Sequence, residues 1–498
     1  MRPPRVPSSS VQETAQARVV ARRNSSADMA VGLAPRRKRS VSQWLSKNVL
    51  AGPAFPRRHF DVVLIGAGPT SISALQGLGR GESIAVISGS STTISPREIV
   101  HPKIQAVSVS NNEVPGVVSA YSRASNRRKP LLSSAIVGGL ANYWGQQFLR
   151  YESGDPWPRD VFGDFATYEA QCAAVEKGFV FTGGSDVLLP ATRAGYSARL
   201  PRLLVGSIES PASDLMAMRH AFRAQVNRTG AEVFGTRAAS LERTQRVWRI
   251  NLHDGEPITA NRVLLAAGVL GTAQLISNSF QDVENARLSD HSPWMVYGFG
   301  MRRLFAQRPA SSTHHFNAIT LEKLEQASSA MFASLYDMGR ADLNLLLAST
   351  ISRTFHIFKS MRAPFGSALL KPVQIWTPLT FDEIDIDLHG GIAREIPNSH
   401  TSPRDDRILG EVLDVLRDLG ASCLKVTRTL PGDGFHHHNL KIKSKGGGCV
   451  PVAAFLRQRT NDSVTCVDAS VLPKIGLRPH TLTAMAASLQ ICSRLAIH

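Results

Sequence analysis

Runs of consecutive apolar, β-branched residues alternate along the chain with stretches whose apolar positions recur every three or four residues. This alternation predicts a mixed α/β protein. Phe60 to Ile65 (FDVVLI) is apolar almost throughout, as a parallel strand covered on both faces must be. Ile72, Leu75 and Leu78 then fall at helical spacing, so a helix is expected from Pro69 or Thr70, and SIAVIS (Ser83 to Ser88) reads as a second strand. A similar pattern returns in RVLLAAGVLGTAQLI (Arg262 to Ile276), with a strand running to Ala266, Ala267 and Gly268 and a helix opening at Gly271 and Thr272. Near the end, a short strand is expected to finish at Asp468. A helix follows over Thr481 to Leu495, with Leu482, Met485, Leu489 and Leu495 roughly on one face. Phe165, Tyr168, Cys172 and Val175 mark another helix after a proline turn. Between 300 and 424, strand-like runs (ADLNLLLAST, EIDIDLHG) alternate with helical ones, which fits an antiparallel sheet. No internal repeat interrupts this order.

The turn after the first strand carries the first chemistry. Gly66 and Gly68 lack Cβ atoms, so the backbone can turn sharply and approach a pyrophosphate, while a helix starting at Pro69 or Thr70 points its first amides at that anion. The full pattern is G-x-G-x-x-S, with Ser71 in the third small position. Glycine-rich turns also serve packing alone, but the strand–turn–helix context favours dinucleotide binding. The second strand ends at Ser88, where an acid would hold the ribose hydroxyls of a dinucleotide. Serine can bond a hydroxyl there without charge assistance, which is expected to weaken the hold on the adenosine half.

Three later blocks add to this turn: GGLANYWG (Gly138 to Gly145), RVLLAAGVLGTAQLI, and the segment from Cys466 to Leu495. Together with Gly66 to Ser71 they resemble the flavin-binding blocks of the glucose–methanol–choline oxidoreductases. The resemblance extends over most of 58–290 and again over about 430–498, and is weak between 291 and 424. It implies an α/β fold: an FAD-binding Rossmann-like domain with a central parallel sheet, plus an antiparallel-sheet (α+β) substrate domain. It implies FAD as cofactor, with Gly66, Gly68, Pro69, Thr70, Ser71 and Ser88 around the dinucleotide and Gly138, Gly139 and Asn142 in close approach. Ala267 and Gly268 would let the chain pass beside the cofactor; Asp468 and Ala469 would meet its ribityl and phosphate region, and Thr481 opens the last helix. Tyr143 stands where some relatives attach their flavin through histidine, so the FAD is expected to be non-covalent.

Three consecutive histidines, in GFHHHNL, gain meaning from that resemblance. The family carries a histidine over the flavin ring, upstream of the last strand, because oxidation of an alcohol needs a base for the hydroxyl proton as the hydride leaves. Imidazole suits this, with an ordinary pKa near neutrality. By spacing to Asp468, His436 matches this position best and His437 is second; His480, just before the last helix, is the partner candidate, one place later than the family's usual asparagine. On a strand His436 and His438 would share a face, and with Asp433 nearby a metal site is a competing reading, as is a solvated loop. No metal is the reading adopted. The family's run after the first histidine is replaced by NLKIKSKGGGC, with Lys441, Lys443 and Lys445 alternating as on an exposed strand. Asp290 and His291, in a segment resembling the family's passage into the substrate domain, read as structural.

The 498 residues suffice for one large or two medium domains. The resemblance divides them into a discontinuous FAD-binding part (58–150, 195–290 and 425–498) and a substrate part (151–194 and 291–424). Half of the net charge of +18 falls in 1–57, an Arg-, Ser- and Pro-rich tail expected to be disordered and to carry no nucleic-acid function. Five scattered cysteines without C-x-x-C spacing fit a reducing compartment; no membrane span is expected. The expected location is cytoplasmic, with Arg22–Arg23 leaving twin-arginine export as the alternative. The expected function is oxidation of a small-molecule alcohol, with oxygen, a quinone or a protein as electron acceptor. The alternatives are an FAD fold without redox turnover and a non-redox flavin lyase.

Overall fold

The computed structural model describes residues 59–79, 81–89, 117–123, 131–143, 146–182, 188–189, 195–208, 217–291, 293–299, 316–325, 328–338, 370–376, 381–396, 403–428, 437–474 and 476–495. The basic tail and the ADLNLLLAST run lie outside them. The protein is α/β, with a parallel sheet and separate antiparallel sheets, the fold class expected from the alternating pattern. Four parallel pairings build the first sheet. His59–Ile65 lies between Ile84–Ile87 and Ile258–Leu265; Glu232–Phe234 extends it on one side and Val464–Cys466 on the other. An antiparallel hairpin, Ala238–Thr244 with Val247–Leu252, joins the opening residues of Ile258–Leu265.

Both faces of the parallel strands are covered, which is why their sequence is a continuous apolar run. Val62, Leu64, Val86 and Leu264 face one core with the helices Pro69–Gly77, Phe165–Glu176, Ala217–Thr229 and Thr481–Leu495. Phe60, Val63, Ile65 and Leu265 face a second core with the helix Gly268–Ser279 and Ile384, Ile386, Leu440 and Ile442 of the next sheet. Each such side chain stabilises the fold by about 1.5–3 kcal/mol relative to exposure. Thr481–Leu495 has the bounds expected of it. The helix after Ala266 opens at Gly268, three residues before the expected Gly271, because Gly268 adopts φ +72° and turns the chain at once. The last strand stops at Cys466, and Asp468 instead caps a short 3-10 helix, Ala469–Val471.

The second sheet runs Cys449–Pro451, His438–Ser444, Val283–His291, Phe381–Asp387, Ile392–Ile396, Val117–Arg123, Leu131–Ser134. The third is antiparallel throughout: Ser422–Arg428, Trp294–Phe299, Leu370–Trp376, Ser328–Met338, Phe316–Glu325, Tyr196–Arg199, Leu188–Leu189. The helix Pro403–Asp418 packs Ile408, Val412, Val415 and Leu416 onto its apolar residues. Three strands of the second sheet adjoin strands of the third in sequence: Val283–His291 before Trp294–Phe299, Leu370–Trp376 before Phe381–Asp387, and Ser422–Arg428 before His438–Ser444. These three passages bring Asp290, His291, His437 and His438 to one region. Two segments cross the division read from the sequence. Tyr196–Arg199 pairs with Thr320 to Lys323 of the third sheet, and Phe165–Glu176 packs in the core of the parallel sheet, its Tyr168 hydroxyl 3.0 Å from Thr483 Oγ1. The apolar stripe Tyr168, Cys172 and Val175 has its counterpart there.

Among the described residues no helix is long and apolar enough to cross a membrane.

Candidate active site

At the carboxyl ends of the parallel strands the chain forms a cradle. Gly66, at φ +121°, lets the backbone pass so close to the neighbouring strand end that a Cβ would lie 2.1 Å from the Ala266 carbonyl oxygen. Gly68 differs: among the described residues no atom lies within 4 Å of the position a Cβ would take, apart from its chain neighbours, so these leave the space beside it open. It is also the N-cap of Pro69–Gly77 and offers no side chain to cap the first-turn amides. Pro69 has no N–H and the Ser71 N–H is bonded to the Gly68 carbonyl at 3.1 Å, so it is the Thr70 N–H beside this open space that suits an anion. Thr70 and Ser71 occupy that first turn, and Ser71 Oγ is buried with no hydrogen-bond partner among the described residues.

The GGLANYWG block closes over this turn. Gly138 N donates to the Ala67 carbonyl at 2.7 Å, and Gly139 stacks on Gly68, with 3.4 Å between its Cβ position and the Gly68 Cα. Asn142 is committed to holding the block together. Its Nδ2 donates to the carbonyls of Val137 (3.0 Å) and Gly139 (2.8 Å), and its Oδ1 accepts from Arg219 Nε at 3.0 Å. Arg219, buried in the first turn of Ala217–Thr229, carries no motif and was not legible in the sequence. Ser88 is buried at the end of its strand and donates its hydroxyl hydrogen to the Phe234 carbonyl (3.1 Å), so toward a ribose it is an acceptor only. Asp468 has its partners: Thr272 Oγ1 donates to Oδ2 at 2.7 Å, and the Ser470 N–H to Oδ1 at 2.9 Å. The carboxylate thereby ties the helix Gly268–Ser279 to the chain just after Val464–Cys466.

The second cluster is built from the sheet passages. His436 lies outside the described residues. The strand starts only at His438, so alternation of faces does not govern the triplet. In place of alternation there is a bulge. Arg287 pairs with Lys441, but Ser289 pairs with His438 where regular pairing would give Asn439, and Asn439 sits at φ +52°. One extra residue on this strand re-aims the histidines before it, a recurring use of bulges beside active sites. Asn439 Nδ2 donates to Ser289 Oγ at 3.2 Å across the irregularity, and beyond it Leu440 and Ile442 return to the core while Lys443 faces solvent, as its alternation suggested.

His437 turns its Nδ1 to within 2.8 Å of Asp290 Oδ2, with both side chains buried. The His438 ring lies 6.2 Å, centroid to centroid, from His291 and 6.4 Å from His480. Asp290 and His291, read from sequence as structural, thus sit among the histidines. Burial opposes charge on Asp290, but the His437 imidazole and the His291 N–H outweigh it and hold the carboxyl below its ordinary value. Burial pushes the His480 imidazole down to about 4; Asp290 opposes that shift and His437 adds to it. His480 is therefore neutral at pH 7. Among the described residues no group of three or more His, Cys, Asp or Glu side chains is arranged to hold a metal ion.

A pH dependence of stability follows from His480. Its folded-state pKa lies below its ordinary value, so the unfolded chain takes up the proton first. Its contribution is complete above about pH 6.5 and is lost as pH falls toward 4. At about 1.4 kcal/mol per unit, the chain should be at most about 2 kcal/mol less stable at pH 5 than at pH 7 from this group. Urea midpoints at the two pH values measure it, and His480→Gln should flatten the dependence; an unchanged slope would contradict the assignment.

The cradle and the histidine cluster are joined by one element. Thr481–Leu495 starts directly after His480 and packs along Pro69–Gly77, where Ser488 Oγ donates to the Thr70 carbonyl at 2.8 Å. The Leu489 carbonyl oxygen lies 2.8 Å from where a Cβ on Gly77 would be.

No protein-family model and no curated protein matches the chain. Among solved structures it is similar to the crystal structure of pyridoxine 4-oxidase from Mesorbium loti, with a TM-score of 0.55 and 14% identity, over 88% of this chain and 99% of that one. At that identity the likeness establishes a shared fold.

Proposed function

We infer that the chain is a flavin-dependent oxidoreductase that oxidises the CH–OH group of a small-molecule alcohol. The observation that carries this is the single helix linking two features, an open, uncapped glycine cradle and a buried cluster of histidines around a carboxylate. The likeness to an oxidase of the same fold supports it. Non-covalent FAD fits the residues present. Gly68 leaves room for a phosphate, the Thr70 N–H at the start of Pro69–Gly77 is offered to it, and the buried Ser71 hydroxyl has no other partner among the described residues. Gly66, Pro69 and Thr70 shape the turn, Gly138, Gly139 and Asn142 close it, and Ser88 meets the ribose as an acceptor. Ala267, Gly268, Asp468, Ala469 and Thr481 line the flavin end. The nucleotide-binding part takes most of 58–150, 195–290 and 425–498, and the substrate part 291–424.

When bound, FAD supplies the hydride acceptor. The protein's own groups do the proton work. His437 accepts the hydroxyl proton, and His480, neutral at pH 7, binds the same oxygen. The buried setting keeps water from competing for those contacts. Anaerobic mixing of the FAD-loaded protein with a panel of alcohols and sugar alcohols tests this. At least one should bleach the flavin absorption, and His437→Ala should slow the bleaching by about 100-fold or more with the flavin retained. A flavin that no alcohol reduces would overturn the reading.

A further inference from the structure

Among the described residues outside the glycine cradle, Asp290 is a fully buried carboxylate beside the histidines. It is the last residue but one of the strand Val283–His291, with its side chain fully enclosed. An ionised carboxylate in such a place requires strong partners. Oδ1 accepts the backbone N–H of His291 at 2.6 Å, and Oδ2 lies at an ion-pair distance of 2.8 Å from His437 Nδ1, short of hydrogen-bond alignment in this structure. The pairing of Ser289 with His438 and the bulge at Asn439 hold the two strands in the offset that makes this approach. Among the described residues, His291, His438 and His480 are titratable groups gathered around the pair.

We propose that Asp290 is the positioning residue of this site. Its carboxylate holds the His437 ring by Nδ1, fixes the tautomer that carries hydrogen there, and leaves Nε2 as the atom that takes the substrate's hydroxyl proton. This rests on the alcohol oxidation proposed above. In that step the O–H bond breaks and its proton goes to Nε2; the C–H bond breaks and its electron pair leaves as hydride to FAD, the oxidant; and the C=O bond forms. His437 is then an imidazolium inside the protein, and Asp290 is the countercharge that makes this state tolerable. His480, beside them, stays neutral and adds no second positive charge. A carboxylate that merely stapled two strands together would affect stability alike but would have no bearing on which ring nitrogen carries hydrogen.

The test uses the FAD-loaded full chain with 15N-labelled histidine, and His437→Gln to assign the His437 signals. The native protein should show hydrogen on Nδ1 and none on Nε2, and Asp290→Asn should lose that preference. The same variant should lower kcat by about 100-fold or more, with KM changed by less than about threefold. An unchanged tautomer, or a kcat within about threefold of native in a variant that is only less stable, would overturn the proposal. If Asp290→Asn does not fold, Asp290→Glu replaces it. The retained charge should keep the tautomer and lose less turnover, and loss of the tautomer in this variant would overturn the proposal. If no alcohol reduces the native flavin, the proposed reaction fails, and the tautomer comparison still decides whether Asp290 sets His437.

Discussion

Gly66→Ala is expected to prevent the chain from folding, whereas Gly68→Ala, two residues on, is expected to fold and bind FAD less well. At position 66 a methyl group would lie 2.1 Å from the Ala266 carbonyl oxygen and 2.5 Å from its carbon. Neither atom can yield, since Ala266 N is bonded to the Ile65 carbonyl and Gly66 N to the Ile87 carbonyl, each at 2.8 Å. The backbone at φ +121° is itself closed to alanine. Together the effects should exceed about 4 kcal/mol, a large share of a typical stability of about 5–15 kcal/mol. At position 68 the backbone has φ −84° and the methyl would enter open space, so stability should hold. That open space is where a phosphate would approach, so FAD affinity should fall about tenfold or more. Urea unfolding and FAD titration measure the two; a stable Gly66→Ala protein would contradict the packing role given to Gly66.

Glu322→Ala should destabilise the protein by about 3–5 kcal/mol, because it strands a buried guanidinium. Arg478 Nε and Nη2 meet Glu322 Oε1 and Oε2 at 2.7 and 2.9 Å, with both side chains buried. Arg478 also donates to the Arg150 carbonyl at 2.9 Å and reaches the half-exposed Glu152 at 2.8 Å, and these contacts place the result toward the lower end. The pair ties the loop before His480 to the strand Phe316–Glu325 of the third sheet. Glu322→Leu combined with Arg478→Met, which strands no buried guanidinium and leaves the half-exposed Glu152 to water, should cost less than Glu322→Ala alone. Denaturation midpoints of the three proteins decide it, and a loss below about 1 kcal/mol in the single variant would show that water reaches the site.

The parallel sheet and its helices were legible in the sequence because burial on both faces imposes a local signature: Phe60 to Ile65 and Arg262 to Leu265 can be read without knowing their neighbours. The two glycines of the turn could not be told apart, since one serves a strand contact with Ala266, 200 residues away, and the other an open space. The surroundings of Asp290 were hidden for a similar reason. Nothing near it signals chemistry, and its significance comes from His437, brought beside it by strand pairing and by a bulge that Asn439 forms where glycine would have been the recognisable signal. The same bulge defeats a reading of the triplet by alternating faces. Asn142 and Asp468 were found by block resemblance, and their partners Arg219 and Thr272 only by geometry.

Titration of the purified protein with FAD, followed by visible absorption and by quenching of flavin fluorescence, is the most direct test of the central claim that the glycine cradle is a flavin site. Saturable uptake of about one FAD per chain, with a perturbed flavin spectrum and weaker binding in Gly68→Ala, is the expected result. A colourless protein that takes up no FAD would contradict it, and with it the oxidation chemistry assigned to the histidine cluster.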